Sequence, residues 1–79
     1  MEHEPYKAVL EAILFLKEEP VRPEQLAAAL DLPSEEVHRL LQELQQDLVS
    51  QRRGLRIFEI AGGYQMGSAP ELAPYLEKL

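Results

Sequence analysis

Residues 51–68 read QRRGLRIFEIAGGYQMGS, and within this stretch the period of the apolar side chains changes from 3.6 to 2. Residues 55–60 are rich in β-branched and aromatic side chains, which favours a strand. Gly62 and Gly63 can adopt the positive φ angles of a two-residue turn, after which residues 64–68 return as the partner strand. The stretch therefore predicts an antiparallel β-hairpin. The register set by this turn pairs Ala61 with Tyr64, Glu59 with Met66 and Ile57 with Ser68.

Three amphipathic helices are predicted before the hairpin. Apolar side chains spaced i, i+3, i+4 and i+7 form one stripe on residues 5–16 and another on residues 34–49. Between them, Pro23 suits the first turn of a short helix, which ends at residues 31–33 because Pro33 disfavours a helical residue before it. The third helix is capped by Ser34 or by Pro33. The inner faces carry Tyr6, Val9, Leu10, Ile13 and Leu14, then Leu26, Ala27 and Leu30, and finally Val37, Leu40, Leu41, Leu44 and Leu48.

The segment after the hairpin, residues 72–79, is predicted to form a last short helix. The order helix, helix, helix, hairpin, short helix is typical of a winged helix, in which helices two and three form a helix-turn-helix and the hairpin is the wing. We therefore predict a mainly α fold with a small β-hairpin, as a single winged-helix domain over residues 1–79.

Length and composition fit one small globular domain that gains from a partner. The chain has 79 residues, of which 46% are hydrophobic and 28% charged, and its net charge is −6. A chain of this length buries only about 60% of its unfolded surface. The absence of cysteine excludes disulfides, thiol catalysis and cysteine-based zinc sites. A small core without such cross-links favours oligomerisation.

Nothing in the sequence predicts a membrane span or a targeting segment. No apolar run reaches the roughly 18 residues that a transmembrane helix needs. The amino end, MEHEP at residues 1–5, is acidic and polar, unlike a signal or transit peptide. We therefore expect a cytoplasmic protein.

The charge of the third helix argues against DNA recognition, although the fold suggests it. Four acidic side chains stand against Arg39 alone, so the helix carries a net charge of −3. Carboxylates beside phosphates release no counterions to drive binding. The alternative function, a DNA-binding transcription regulator, depends on a basic cluster at the start of the wing, where Arg52, Arg53 and Arg56 would contact phosphates. The simpler interpretation is that these arginines neutralise the acidic body or lie along apolar surface.

The sequence shows no legible catalytic, metal or cofactor site. His3 and His38 are the only histidines and lie far apart, whereas zinc needs three or four ligands at close spacing. The acidic pairs at residues 18–19 and 35–36 point apart on a helix. Gly62 and Gly63 lack the Lys-Ser/Thr ending of a phosphate-binding loop. We therefore predict a protein that is not an enzyme and binds no cofactor, metal or small-molecule substrate.

Large apolar side chains occupy both faces of the predicted hairpin. One face carries Leu55, Ile57, Glu59, Tyr64 and Met66, and the other carries Arg56, Phe58, Ile60, Gln65 and Gly67. A wing on a helical core needs only one apolar face. The surplus is covered either by the last segment, around Leu72, Tyr75, Leu76 and Leu79, or by another chain. The predicted protein interface consists of the wing residues Phe58, Ile60, Tyr64 and Met66.

Several of these segments together resemble the amino-terminal domain of the segregation and condensation protein B (ScpB) family. The matching segments, from about residue 8 to residue 79, are AILFL at 12–16, EEPV at 18–21, Leu26-Ala27, Leu30, EEV at 35–37, Gly54-Leu55, EIAGGYQ at 59–65, Pro70 and Tyr75-Leu76. Arg22 stands where the family often has a Ser or Thr helix cap. Gln65 and Gly67 occupy wing positions that are often longer or basic, which predicts a shorter second strand.

The resemblance implies a non-enzymatic chromosome segregation and condensation factor of the bacterial cytoplasm, associated with the nucleoid. Family members form homodimers through this domain and join the kleisin ScpA and, through it, the SMC ATPase. Two copies would bury apolar surface against each other and act as a scaffold. The family also carries a second winged-helix domain, so the chain is expected to be the amino-terminal half of a longer two-domain protein.

Overall fold

Helices and one hairpin form the part of the chain that the computed structural model describes, residues 5–79. The elements in chain order are α1 (Tyr6–Leu16), α2 (Pro23–Leu30), α3 (Ser34–Ser50), β1 (Leu55–Ile60), β2 (Gly63–Ser68), a 3-10 turn (Pro70–Leu72) and α4 (Ala73–Leu76). This order confirms the predicted winged helix. His3 and the acidic amino end, on which the predictions about targeting depend, lie outside the described residues.

The core is built around α3, which packs against α1, α2 and β1. Its five buried side chains are the predicted stripe, and they cluster with buried residues of the three neighbouring elements and with Val21, which precedes α2. The cluster consists of Leu10, Leu14, Val21, Leu26, Val37, Leu40, Leu41, Leu44, Leu48 and Ile57. Within residues 5–79, no helix has the length and apolarity to cross a membrane.

The turn between α2 and α3 settles the open question about the cap. Asp31 ends α2 in the left-handed conformation, with φ of 57°, and Pro33 holds the N-cap position of α3 in extended backbone. Ser34 is therefore the first helical residue. At the start of α2, Arg22 holds the N-cap position, and the Gln25 side chain accepts a hydrogen bond from the Arg22 N–H at 3.0 Å. That bond satisfies one of the N–H groups near the helix start.

The hairpin turn lies one residue earlier than predicted. Ala61 and Gly62 form the loop, with φ of 52° and 79°, so Ile60 pairs with Gly63 and Ile57 with Met66. The predicted partners were wrong by two residues, but a shift of two keeps every side chain on its predicted face. β2 has six residues, as many as β1, so the expectation that Gln65 and Gly67 shorten it was also wrong.

Gly63 lies in β2 and not in the turn, and the segment of residues 20–21 passes directly over it. Val21 forms an antiparallel bridge with Tyr64, with both N–O distances at 2.8 Å. A Cβ on Gly63 would lie 3.0 Å from the Cβ of Pro20 and 3.1 Å from the carbonyl oxygen of Val21. Only glycine leaves room for this approach. Val21 therefore pairs with the outer edge of β2 like a one-residue third strand, which the local sequence pattern did not predict.

Gln45 closes the opposite edge of the wing. Its side-chain amide donates to the carbonyl of Ile57 at 2.9 Å and accepts from the Ile57 N–H at 3.0 Å. The amide thus takes the place of a neighbouring strand on β1, and it satisfies two partly buried backbone groups.

Replacing Gln45 by glutamate is expected to lower the free energy of unfolding by about 1–3 kcal/mol, because a carboxylate cannot donate to the Ile57 carbonyl. Urea denaturation followed by circular dichroism measures the change. Gln46→Glu is the matched control, since Gln46 is exposed on the same helix. Equal stability of both variants would show that the two bonds contribute nothing to the wing.

Candidate interaction surfaces

The outer face of the wing is apolar and nearly free of charge. Ile57, on the inner face, is buried against the helices, so the alternation of the strand turns Phe58 and Ile60 outwards. Ile60 is 43% exposed. The Phe58 ring lies across Gly67, where an added Cβ would come within 3.0 Å of the ring. Gln65 on the same face is tied down by a hydrogen bond that it donates to the Glu18 carbonyl at 2.8 Å.

The structure does not bring all four predicted interface residues to one surface. Tyr64 and Met66 lie on the inner face of the wing and pack against the core cluster. The Tyr64 hydroxyl is 3.0 Å from Nδ1 of His38, which links the wing to α3. Burial, together with the nearby Glu59 carboxylate, raises the pKa of Tyr64. Phe58 and Ile60 are therefore the two members that face outwards.

The last segment covers little of this apolar surface. Leu72 lies near Gly54 at the base of the wing, where an added Cβ would be 3.7 Å from Leu72 Cδ1. Beyond it, α4 packs chiefly against the 3-10 turn. Tyr75 is 70% exposed and Leu79 is fully exposed, so the segment leaves its own apolar side chains open to solvent. The last segment is therefore not the cover for the wing, and cover by another chain stays a prediction.

The three arginines at the start of the wing differ in their surroundings. Arg56 has a side chain only 11% exposed, donates to the carbonyls of Arg53 and Leu55, and pairs with Glu71 at 3.0 Å. Arg53 pairs more loosely with Glu11 at 3.3 Å. Arg52 is exposed, and its backbone adopts the left-handed conformation with φ of 54°. The phosphate contact by these arginines stays a prediction, and the structure already gives Arg56 a set of internal partners.

The outward side of α3 holds a network of acidic side chains and their partners. Arg39 forms ion pairs with Glu36, at 2.8 Å, and with Glu43, and the first of these contacts lowers the pKa of Glu36. Lys7 of α1 donates to Asp47 at 2.9 Å, which raises the pKa of Lys7. Both basic side chains are thus engaged by carboxylates, and α3 carries a net charge of −3.

Among residues 5–79, no three His, Asp or Glu side chains are grouped closely enough to hold a metal ion. His38 contacts the Tyr64 hydroxyl. Among the hydrogen bonds of residues 5–79, no hydroxyl group is paired with a base that a third group orients, which is the arrangement of an activated nucleophile. The sequence did not reveal three features that join distant segments. They are the bridge between Val21 and Tyr64, the two hydrogen bonds between the Gln45 side chain and Ile57, and a cleft between α1 and α2.

Comparison with known proteins gives one consistent family. Residues 8–79 match the family model described as segregation and condensation complex subunit ScpB. Segregation and condensation protein B of Moorella thermoacetica is 44% identical over 73 residues, which are 92% of this chain and 37% of that protein. The protein of the same name from Halalkalibacterium halodurans is 40% identical over 74 residues, 92% of this chain and 38% of the relative. The chain therefore spans well under half the length of these curated relatives.

Two solved structures share the fold. A crystal structure of a dimer of an ScpB N-terminal domain complexed with an ScpA peptide superimposes with a TM-score of 0.87 at 37% identity, covering 94% of this chain and 93% of that one. ScpB from Mycobacterium tuberculosis superimposes with a TM-score of 0.85 at 34% identity, covering 92% of this chain and 46% of that one.

Proposed function

This chain belongs to the family of segregation and condensation complex subunit ScpB, and we propose that it acts as a dimerising scaffold domain in chromosome segregation and condensation. The observation that carries the proposal is the similarity to the dimeric N-terminal domain with its bound peptide. That domain is matched over 93% of its own length, so a chain of almost the same extent forms the dimer. The surfaces needed for self-association therefore have counterparts within these 79 residues.

The proposed partners are a second copy, the kleisin ScpA and, through ScpA, the SMC ATPase. The similar complex supports the first two, because it holds a dimer and an ScpA peptide. The domain would work in the cytoplasm at the nucleoid, without catalysis and without a cofactor. In the whole protein, a second winged-helix domain would follow this one.

The outer face of the wing is the proposed dimer interface, with Phe58 and Ile60 at its centre. A twofold axis places a surface against itself, so a charged patch would repel its own copy while an uncharged apolar patch is self-complementary. Phe58, Ile60 and Gly67 carry no charge, and the Arg56 guanidinium is held by Glu71 and two carbonyls. Tyr64 and Met66 would support this face from behind.

Alanine at Phe58 and Ile60 together is expected to weaken the dimer by at least about 100-fold. Each truncation is repeated in both copies, and the loss of an interface anchor costs more than about 1 kcal/mol, with 1.4 kcal/mol being tenfold in affinity. Sedimentation equilibrium measures the dissociation constant. Ile60→Ala alone tests the same surface without removing the half-buried Phe58, and circular dichroism verifies the fold.

Val49→Ala is the matched control for this experiment. Val49 is also an exposed β-branched side chain, but it lies on α3 instead of the wing. The control should keep the dissociation constant of the wild type. A wing variant that folds and dimerises as tightly as the wild type would place the interface elsewhere on the domain.

A further inference from the structure

A cleft opens between the carboxyl end of α1 and the exposed side of α2. Its volume is about 650 Å³, which is within the range of sites that bind ligands or side chains of partners. Val21 and Leu26, both buried, and the half-buried Ile13 form an apolar floor. The other lining residues are Leu16, Lys17, Glu18, Glu19, Pro20, Gln25 and Ala29.

The wall of the cleft is fixed in place before any partner binds. The segment after α1 is held by the Gln65 bond to the Glu18 carbonyl and, three residues later, by the Val21 bridge to Tyr64. At the rim, Leu16 is 74% exposed although it belongs to an otherwise amphipathic helix. A preformed cleft with an open apolar rim can accept a side chain without an ordering cost in the domain.

The charge around the cleft decides between a second copy and a different partner. Glu18 and Glu19 lie on the rim beside the negative end of the α1 dipole, and Lys17 is the basic residue among the lining side chains. The last turn of α1 contains no basic residue. Lys17, Glu18 and Glu19 give the lining a net charge of −1, so two copies meeting here would bring like net charges together, within a chain whose net charge is already −6. The rim therefore complements a cationic partner.

We propose that this cleft binds a basic, amphipathic peptide segment, with a bulky apolar side chain over Ile13, Val21 and Leu26 and with Lys or Arg side chains on Glu18 and Glu19. The proposal rests on the proposed function, in which the segment belongs to ScpA. It assigns the two partners to separate surfaces: the uncharged wing face to the second copy, and the acidic cleft to the peptide.

The test uses overlapping 20-residue segments of the ScpA encoded in the same genome, labelled for fluorescence anisotropy. We expect at least one segment with clustered Lys or Arg and apolar residues to bind the wild type. Its affinity should fall about tenfold in Leu16→Ala and about tenfold at low salt in Glu18→Lys/Glu19→Lys, with the second loss shrinking as salt rises. Leu16, Glu18 and Glu19 are exposed, so these variants should fold.

Glu35→Lys/Glu77→Lys is the matched control, because it changes the net charge equally at exposed residues outside the cleft. The control should lose little affinity. Equal losses in both double variants, or unchanged affinity in the cleft variants, would overturn the cleft as the site. If no ScpA segment bound the wild type, the cleft proposal would also fall, while a dimeric mass would leave the scaffold function standing.

Discussion

Leu48→Ala is expected to lower the free energy of unfolding by about 3 kcal/mol and to leave much of the protein unfolded at 37 °C. The Leu48 side chain has no exposed surface and lies in the core cluster around α3. Truncating a buried leucine removes apolar contacts and leaves a cavity, which costs about 2–5 kcal/mol. The core of a domain this small rarely supplies more than about 3–5 kcal/mol, so the loss is comparable to the whole stability.

The neighbouring residue supplies the control for Leu48→Ala. Val49 is 51% exposed on the same turn of α3, so Val49→Ala should change the stability by no more than about 0.5 kcal/mol. Urea denaturation of both variants at one protein concentration measures the difference, because the stability of a dimer depends on concentration. Similar urea midpoints for the two variants would contradict the placement of Leu48 in the core.

Gly63→Ala is expected to lower the free energy of unfolding by about 1–3 kcal/mol and to open the bridge between Val21 and β2. Two of the three atoms nearest to the added Cβ, the Val21 oxygen at 3.1 Å and the Pro20 carbonyl carbon at 3.2 Å, belong to the backbone. These backbone atoms can move away only if the two hydrogen bonds between Val21 and Tyr64 lengthen. Faster amide exchange at Val21 and Tyr64 would report the opening directly.

Gly54→Ala is the control for this glycine. An added Cβ at Gly54 meets nothing closer than Leu72 Cδ1 at 3.7 Å, which is ordinary contact, so the change should be nearly neutral. Wild-type exchange rates at Val21 and Tyr64 in Gly63→Ala would show that the close approach does not exist.

The sequence pattern predicted those parts of the fold that depend on neighbouring residues. The stripes of α1 and α3, the start of α2 at Pro23 and the extent of β1 follow from local periodicity and helix caps. The turn was misplaced because local rules favour two glycines at the positive φ angles of the turn, whereas the observed turn places Ala61 at φ of 52°. The passage of Pro20 and Val21 over Gly63, which lies in β2, is a contact across more than forty residues that local rules do not include.

The candidate surfaces were predictable to a similar extent. Alternation placed Phe58 and Ile60 on the face opposite Ile57, and it placed Tyr64 and Met66 on the same face as Ile57. The predicted interface combined residues of both faces, and the structure shows that Tyr64 and Met66 pack on the core. The cleft beside Leu16 was not predictable, because its floor combines α1, α2 and the bridging Val21. The sequence showed Glu18 and Glu19 as an adjacent acidic pair, but their position on the rim of an apolar cleft depends on the tertiary fold.

The most direct test of the central claim is the mass of the purified chain by light scattering, alone and with a short DNA duplex at low salt. The dimerising scaffold predicts twice the 9.0 kDa of one chain, unchanged when DNA is added. A monomer across the accessible concentrations would contradict self-association through this domain. A complex with DNA whose affinity falls steeply with salt would instead support the regulator and phosphate contacts by Arg52, Arg53 and Arg56.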